Sequence, residues 1–169
     1  MADGFLAAYA AAVRLLAQRA RSEAQLRTRL ARRDFEREVI DRVVARLRQE
    51  RYLDDVAFAE QLVRARVTRQ PRSTTALLRE LAEKGVASAT AGAAVERVLA
   101  DEALDERALA ERAAEAWARR RLPPRSAVPD RDGVLRLRRR LHAHLERRGF
   151  RGEAAIAAER SVIGRWREA

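Results

Sequence analysis

Apolar residues recur along this chain in one spacing that appears three times. Leu26, Leu30 and Phe35 stand four and then five residues apart. Leu77, Leu81 and Val86 repeat that spacing 51 residues later, and Leu141, Leu145 and Phe150 repeat it after a further 64. With Gly85 and Gly149 in the left-handed conformation just past a helix end, Leu81 and Leu145 meet Val86 and Phe150 across the stop, which is the hydrophobic contact of a Schellman motif. Asp34 holds the corresponding position in the first copy, and aspartate tolerates positive φ better than most residues.

An amphipathic run comes after each stop: Ile40, Val43, Val44 and Leu47; Ala91, Val95, Val98 and Leu99; Ile156, Val162 and Ile163. Another precedes it, carried by Leu15 and Leu16, by Phe58 and Leu62, and by Leu109 and Trp117. Apolar residues three and four apart form one helical face. Leu53-Asp54-Asp55 before Phe58-Ala59 matches Leu104-Asp105-Glu106 before Leu109-Ala110, 51 residues on, and an aspartate there reads as a helix N-cap. Ser22 with Gln25 forms a capping box.

The pattern predicts an all-α fold of nine helices, near 5–20, 22–33, 36–50, 55–69, 73–84, 88–100, 103–121, 132–148 and 153–167. Pro71 breaks it, as does the proline-rich loop 122–133 with Pro123, Pro124 and Pro129. Three tandem three-helix repeats result, over 1–52, 53–102 and 103–169. Units this small must stack to bury a core, so the expected body is elongated.

Composition narrows the chemistry. Hydrophobic residues make up 47% of the 169 positions and aromatics only 5%, which fits a core of small aliphatic side chains between close helices. With no cysteine, disulfides, zinc knuckles and thiol nucleophiles are excluded, and a reducing compartment, the cytoplasm, is expected. The start of the chain lacks a basic signal-peptide region, and no stretch approaches the roughly 20 apolar residues of a membrane span. Net charge is +11, which favours an acidic partner. Residues 1–55 hold 12 basic side chains against 9 acidic ones, residues 56–105 hold 7 of each, and residues 106–169 hold 17 against 9, so the excess is concentrated near the end.

Reactive groups are scarce. Asp54 and Asp55 are paired carboxylates, but capping accounts for them without a metal. His142 and His144, the only histidines, point about 200° apart on a helix and cannot chelate one ion. No phosphate-cradling glycine loop is present. Trp117 and Trp166 could stack on bases, although burial between helices is the favoured reading. No cofactor, metal or catalytic residue is expected.

The arginines rise above this background. Arg119, Arg120 and Arg121 close one helix; Arg136, Arg138, Arg139 and Arg140 belong to the next, and Arg147, Arg148 and Arg151 stand at its end. Arg136, Arg139, Arg140 and Arg147 lie away from the face marked by Leu137, Leu141 and Leu145, forming a solvent-facing basic stripe. The alternative is a solvated face with arginines complementing helix dipoles.

Tyr52-Leu53-Asp54-Asp55, Phe58-Ala59, Arg66, Glu80-Leu81 and Lys84-Gly85-Val86 resemble the central signature of the RecX family of recombination regulators. Arg21-Ser22-Glu23-x-x-Leu26 and Leu145-x-x-Arg148-Gly149-Phe150 resemble its flanking repeats. Two departures stand out: Gln70-Pro71-Arg72-Ser73 replaces a Gly-x-Gly-Pro-type turn, and Asp34 stands where glycine is usual. The resemblance implies a non-enzymatic regulator that binds a RecA filament on DNA and inhibits its ATP turnover, strand exchange and co-protease activity. Candidate contacts to filament or DNA are then Arg66, Arg69 and Arg72 together with the arginines named above. The expected partners are RecA and single- or double-stranded DNA, with no membrane, and the chain is expected to be a monomer. The competing reading is a stand-alone basic DNA-binding protein with no dedicated protein partner.

Overall fold

A computed structural model describes residues 2–124 and 130–168. Among them are nine helices and no strand: α1 (Ala2–Gln18), α2 (Glu23–Ala31), α3 (Arg37–Gln49), α4 (Asp55–Arg69), α5 (Thr74–Glu83), α6 (Ser88–Asp101), α7 (Glu106–Arg121), α8 (Arg131–Arg147) and α9 (Gly152–Glu168). They keep the predicted order of three groups of three. Two starts differ most. Helix α1 begins at Ala2, and α7 begins at Glu106 because Asp105 is its N-cap, accepting from the N–H of Ala108 at 2.7 Å. The loop expected over 122–133 ends sooner, since Asp130 caps α8 through the N–H of Gly133 at 2.8 Å and residues 131–133 form its first turn. Its segment 125–129, with Pro129, lies outside the described residues.

The chain packs as two compact units, Met1–Leu62 with Leu78–Val95, and Val63–Leu77 with Glu96–Ala169. In the first, Leu15, Leu26, Leu30, Val43, Val44, Leu47 and Leu53 form a buried cluster with Ala8, Ala11 and Ala12, edged by Phe5, Tyr9 and Phe35. In the second, Leu109, Trp117, Leu141, Leu145, Phe150, Val162 and Ile163 are buried, and α7 packs chiefly on α9. Ile156, expected on the inner face of α9, is instead 46% exposed. Ala155 and Ala158 take that face, because their small side chains let α9 approach α7 closely. Likewise Ala59, Val63 and Val67 form the buried face of α4, with Phe58 and Leu62 only half-buried at its edge.

The two glycine stops form as Schellman turns. Gly85 has φ 77° and Gly149 φ 90°; the N–H of Val86 donates to Leu81 O at 3.1 Å, and that of Phe150 to Leu145 O at 3.0 Å. Asp34 takes φ 61°, as its position requires. Two further stops end α3 and α6 with side chains that resist this conformation: Arg51 at φ 58° and Ala103 at φ 49°, with Tyr52 N–H on Leu47 O and Leu104 N–H on Leu99 O, both at 2.9 Å.

Within each unit, the start of one middle helix sits on the glycine stop of the next. Ser22 caps α2 in a complete capping box with Gln25, and its hydroxyl donates to the carbonyl of Lys84. Ser73, before α5, accepts from the N–H of Ala76 at 3.1 Å and gives its own N–H to Arg148 O at 3.1 Å. Both serines are buried. A Cβ on Gly85 would lie 2.3 Å from the Cβ of Ala24; one on Gly149 would lie 2.3 Å from Ser73 Oγ and 2.9 Å from the Cβ of Ala76. The acidic residues at the next junction complete the caps. Asp54 caps its own helix through the N–H groups of Val56 and Ala57, whereas Asp55 accepts from the N–H of Glu23 at 2.8 Å and Glu106 from the N–H of Thr74 at 2.9 Å. Both aspartates thus serve as caps.

Gly149→Ala should lower stability by more than the roughly 1–2 kcal/mol that left-handed backbone alone costs a side chain, because the methyl also collides with Ser73 and Ala76. Urea denaturation measures this, and an unchanged midpoint would contradict the close seat. Ala103→Gly should act oppositely, raising stability by up to about 1 kcal/mol, since relief of the left-handed strain exceeds the entropic cost of glycine.

Candidate functional site

Arginines from three helices converge in the second unit. The final turn of α4 carries Arg66 and Arg69, and its continuation, Gln70 to Ser73, is pinned to the end of α8. Arg148 donates from Nη1 to the carbonyl of Pro71 at 3.2 Å, while its own carbonyl receives the N–H of Ser73. The last turn of α7 adds Arg120 and Arg121. The cleft so formed encloses about 260 Å³ and is lined by Arg69, Gln70, Ala116, Trp117, Arg120, Arg121, His144 and Arg148. No carboxylate stands among these residues.

The electrostatics of the cleft derive from that lining. Burial, and then Arg72, Arg120 and Arg66, disfavour the charge on Arg148 and lower its pKa. Burial and the charges of Arg148, Arg147 and Arg121 push His144 down to about 4, so its imidazole is neutral at pH 7. A neutral histidine beside several guanidinium groups gives the cleft donors that could hold an oxyanion. Guanidinium groups supply rigid donors and cannot transfer a proton near neutrality.

The sequence-derived candidates divide accordingly. Arg69, Arg120, Arg121 and Arg148 line the cleft, Arg66 and Arg72 lie near enough to act on Arg148, and Arg147 acts on His144. Arg119, Arg139, Arg140 and Arg151 are exposed outside it. Arg136 is exposed and 4.0 Å from Asp130. Arg138 is engaged elsewhere, 2.7 Å from Glu159, a buried carboxylate that also lies 3.2 Å from His142 Nδ1. Trp117 is buried as expected, and Trp166 donates its indole N–H to Pro123 O at 3.2 Å. Among the described residues no group of three histidine or acidic side chains could hold a metal.

Sequence reasoning missed His144 as a member of the site. Its signal lay in the repeat: His144 and Arg148 occupy the positions held 64 residues earlier by Glu80 and Lys84, which stand 3.8 Å apart as an ion pair. The pair is self-neutralising in one copy and cationic in the other.

Because His144 has a folded-state pKa of about 4 against an ordinary 6.5, the unfolded chain takes up its proton first as pH falls. Its contribution to stability is full above pH 6.5 and is lost between 6.5 and 4. His144→Gln should therefore flatten the fall in denaturation midpoint across that window, and parallel curves for variant and parent would contradict the assignment.

Known proteins share both the helical pattern and the fold. Residues 8–47 match the family model of the first three-helix domain of RecX, and residues 54–104 match that of the second. A regulatory protein RecX from Corynebacterium efficiens is 37% identical over 153 residues, covering 90% of this chain and 70% of that protein. One from Mycolicibacterium vanbaalenii is 34% identical, covering 95% and 85%. The crystal structure of RecX from Lactobacillus salivarius shares the fold at a TM-score of 0.70 with 19% identity, over 96% of this chain and 98% of that one. A second RecX crystal structure superposes at 0.66 with 21% identity, covering 99% and 75%. The chain belongs to the RecX family of regulatory proteins.

Proposed function

We propose that this protein regulates homologous recombination and DNA repair, within the SOS response, by binding the nucleoprotein filament that RecA assembles on DNA. In this reading it lowers the filament's ATP turnover, strand exchange and co-protease activity. The observation that carries the proposal is the carboxylate-free arginine cleft, in a member of a regulatory family. A filament on DNA presents phosphates and acidic side chains, and bidentate guanidinium groups recognise both. The regulator acts by occupancy and does no chemistry of its own. It works as a cytoplasmic monomer; among the described residues no helix is long and apolar enough to cross a membrane.

Within this proposal Arg66, Arg69, Arg72, Arg120, Arg121 and Arg148 form the central contact. Arg136, Arg139, Arg140 and Arg147 extend it along α8, with Arg119 and Arg151 at the rim. Arg138 is left to its structural pair with Glu159.

RecA's DNA-dependent ATP hydrolysis provides the test. Substoichiometric protein should inhibit it well below the amount that coats the DNA, and Arg120→Glu with Arg121→Glu should weaken inhibition by about tenfold or more while helicity is retained. Inhibition only at DNA saturation, with a steep loss in salt, would replace this reading with stand-alone DNA binding.

A further inference from the structure

The first unit contains a second basic cleft, of about 360 Å³, where the turn between α1 and α2 and the outer face of α2 meet the end of α5. Arg19, Arg21, Arg29, Arg32 and Lys84 line it, with Glu83 as its one carboxylate. Arg19, Arg29 and Arg32 are exposed, whereas Arg21 is only 7% exposed. Arg21 donates from Nε to the carbonyl of Leu15 at 3.0 Å, but its Nη1 is buried with no hydrogen-bond partner. A buried charged donor without an acceptor is among the costlier defects a fold can keep. Burial disfavours the Arg21 charge, and the two charges that act on it next, Arg19 and Arg29, both line this cleft.

Glu83 and Glu80 pair with other cations. Glu83 lies 3.9 Å from Arg79, and Lys84 lies 3.8 Å from Glu80. Three or more guanidinium groups around one buried donor suit a tetrahedral oxyanion, whose several oxygens can accept from different directions; a carboxylate is satisfied by a single fork.

We propose that this cleft is a second anion site, separate from the arginine cleft of the other unit, which takes a phosphate group through Arg21, Arg29 and Arg32. The phosphate belongs either to a nucleic-acid strand or to a free anion, and the same donors serve both. A phosphate there offsets the charges of Arg19 and Arg29 that, after burial, disfavour the one on Arg21.

The test uses the full chain and two probes, inorganic phosphate by calorimetry and a short single-stranded oligonucleotide by fluorescence anisotropy. Arg29→Gln with Arg32→Gln removes exposed side chains and leaves the core intact. It should weaken at least one probe by about tenfold. Arg120→Gln with Arg121→Gln should leave that loss in place, because those residues line the other cleft. A loss with inorganic phosphate identifies a free anion as sufficient; a loss confined to the oligonucleotide identifies nucleic acid. Equal affinities of parent and Arg29→Gln/Arg32→Gln for both probes would overturn the proposal, whatever the RecA assay shows.

Discussion

The closest constraint in the molecule is the seat of a serine-capped helix start on a glycine stop. In one unit Ser22 and Ala24 meet Gly85; in the other Ser73 and Ala76 meet Gly149. The stop must be left-handed to expose its last carbonyl, and it must lack a Cβ to let the neighbouring helix come so near. An orphan N–H end thereby meets an orphan C=O end, and each helix terminus satisfies part of the other. Asp55 and Glu106 supply the remaining acceptors, so the starts of α2 and α5 are capped by side chains distant in sequence.

That seat also decides where the basic groups stand. The residue before each glycine, Lys84 or Arg148, is held by its backbone carbonyl and projects its side chain beside the seat. In the first unit Lys84 faces Glu80 and the charge is cancelled locally. In the second, Arg148 reaches the carbonyl of Pro71, and histidine replaces the glutamate. One structural position thus yields an ion pair in one copy and a cationic cleft in the other. The difference lies in two side chains on an unchanged backbone scheme.

Charge is concentrated where it is hardest to concentrate. Arg148 sits among Arg66, Arg72 and Arg120, and His144 is kept neutral by burial and by Arg148, Arg147 and Arg121. Such crowding weakens the isolated fold and strengthens its attraction for an anion, since a ligand that neutralises the cleft removes several repulsions at once. Elsewhere the arginines are quenched: Arg64 by Asp101, Arg138 by Glu159, and Arg165 by Glu111 and Glu115.

The amino-acid sequence by itself determined the local features of this protein. Helical periodicity, the glycine stops at 85 and 149, the capping box at Ser22 and the cap at Asp105 depend on residues a few positions apart, so their physics is written in the order of the chain. Arg51 and Ala103 escaped because neither side chain signals positive φ; their turns are imposed by the backbone bonds that Tyr52 and Leu104 make back to α3 and α6. Ile156 escaped because alanine carries little hydrophobic weight in a pattern, yet it is the residue that lets α9 lie close to α7. The tertiary structure alone decided which arginines meet. A stripe along α8 was visible from spacing, but the cleft gathers Arg69, Arg120 and Arg148 from three helices. Likewise, only packing leaves Arg21 with a buried, unpartnered nitrogen. Electrostatic fields sum over distance in space, and no spacing rule within one helix contains that sum.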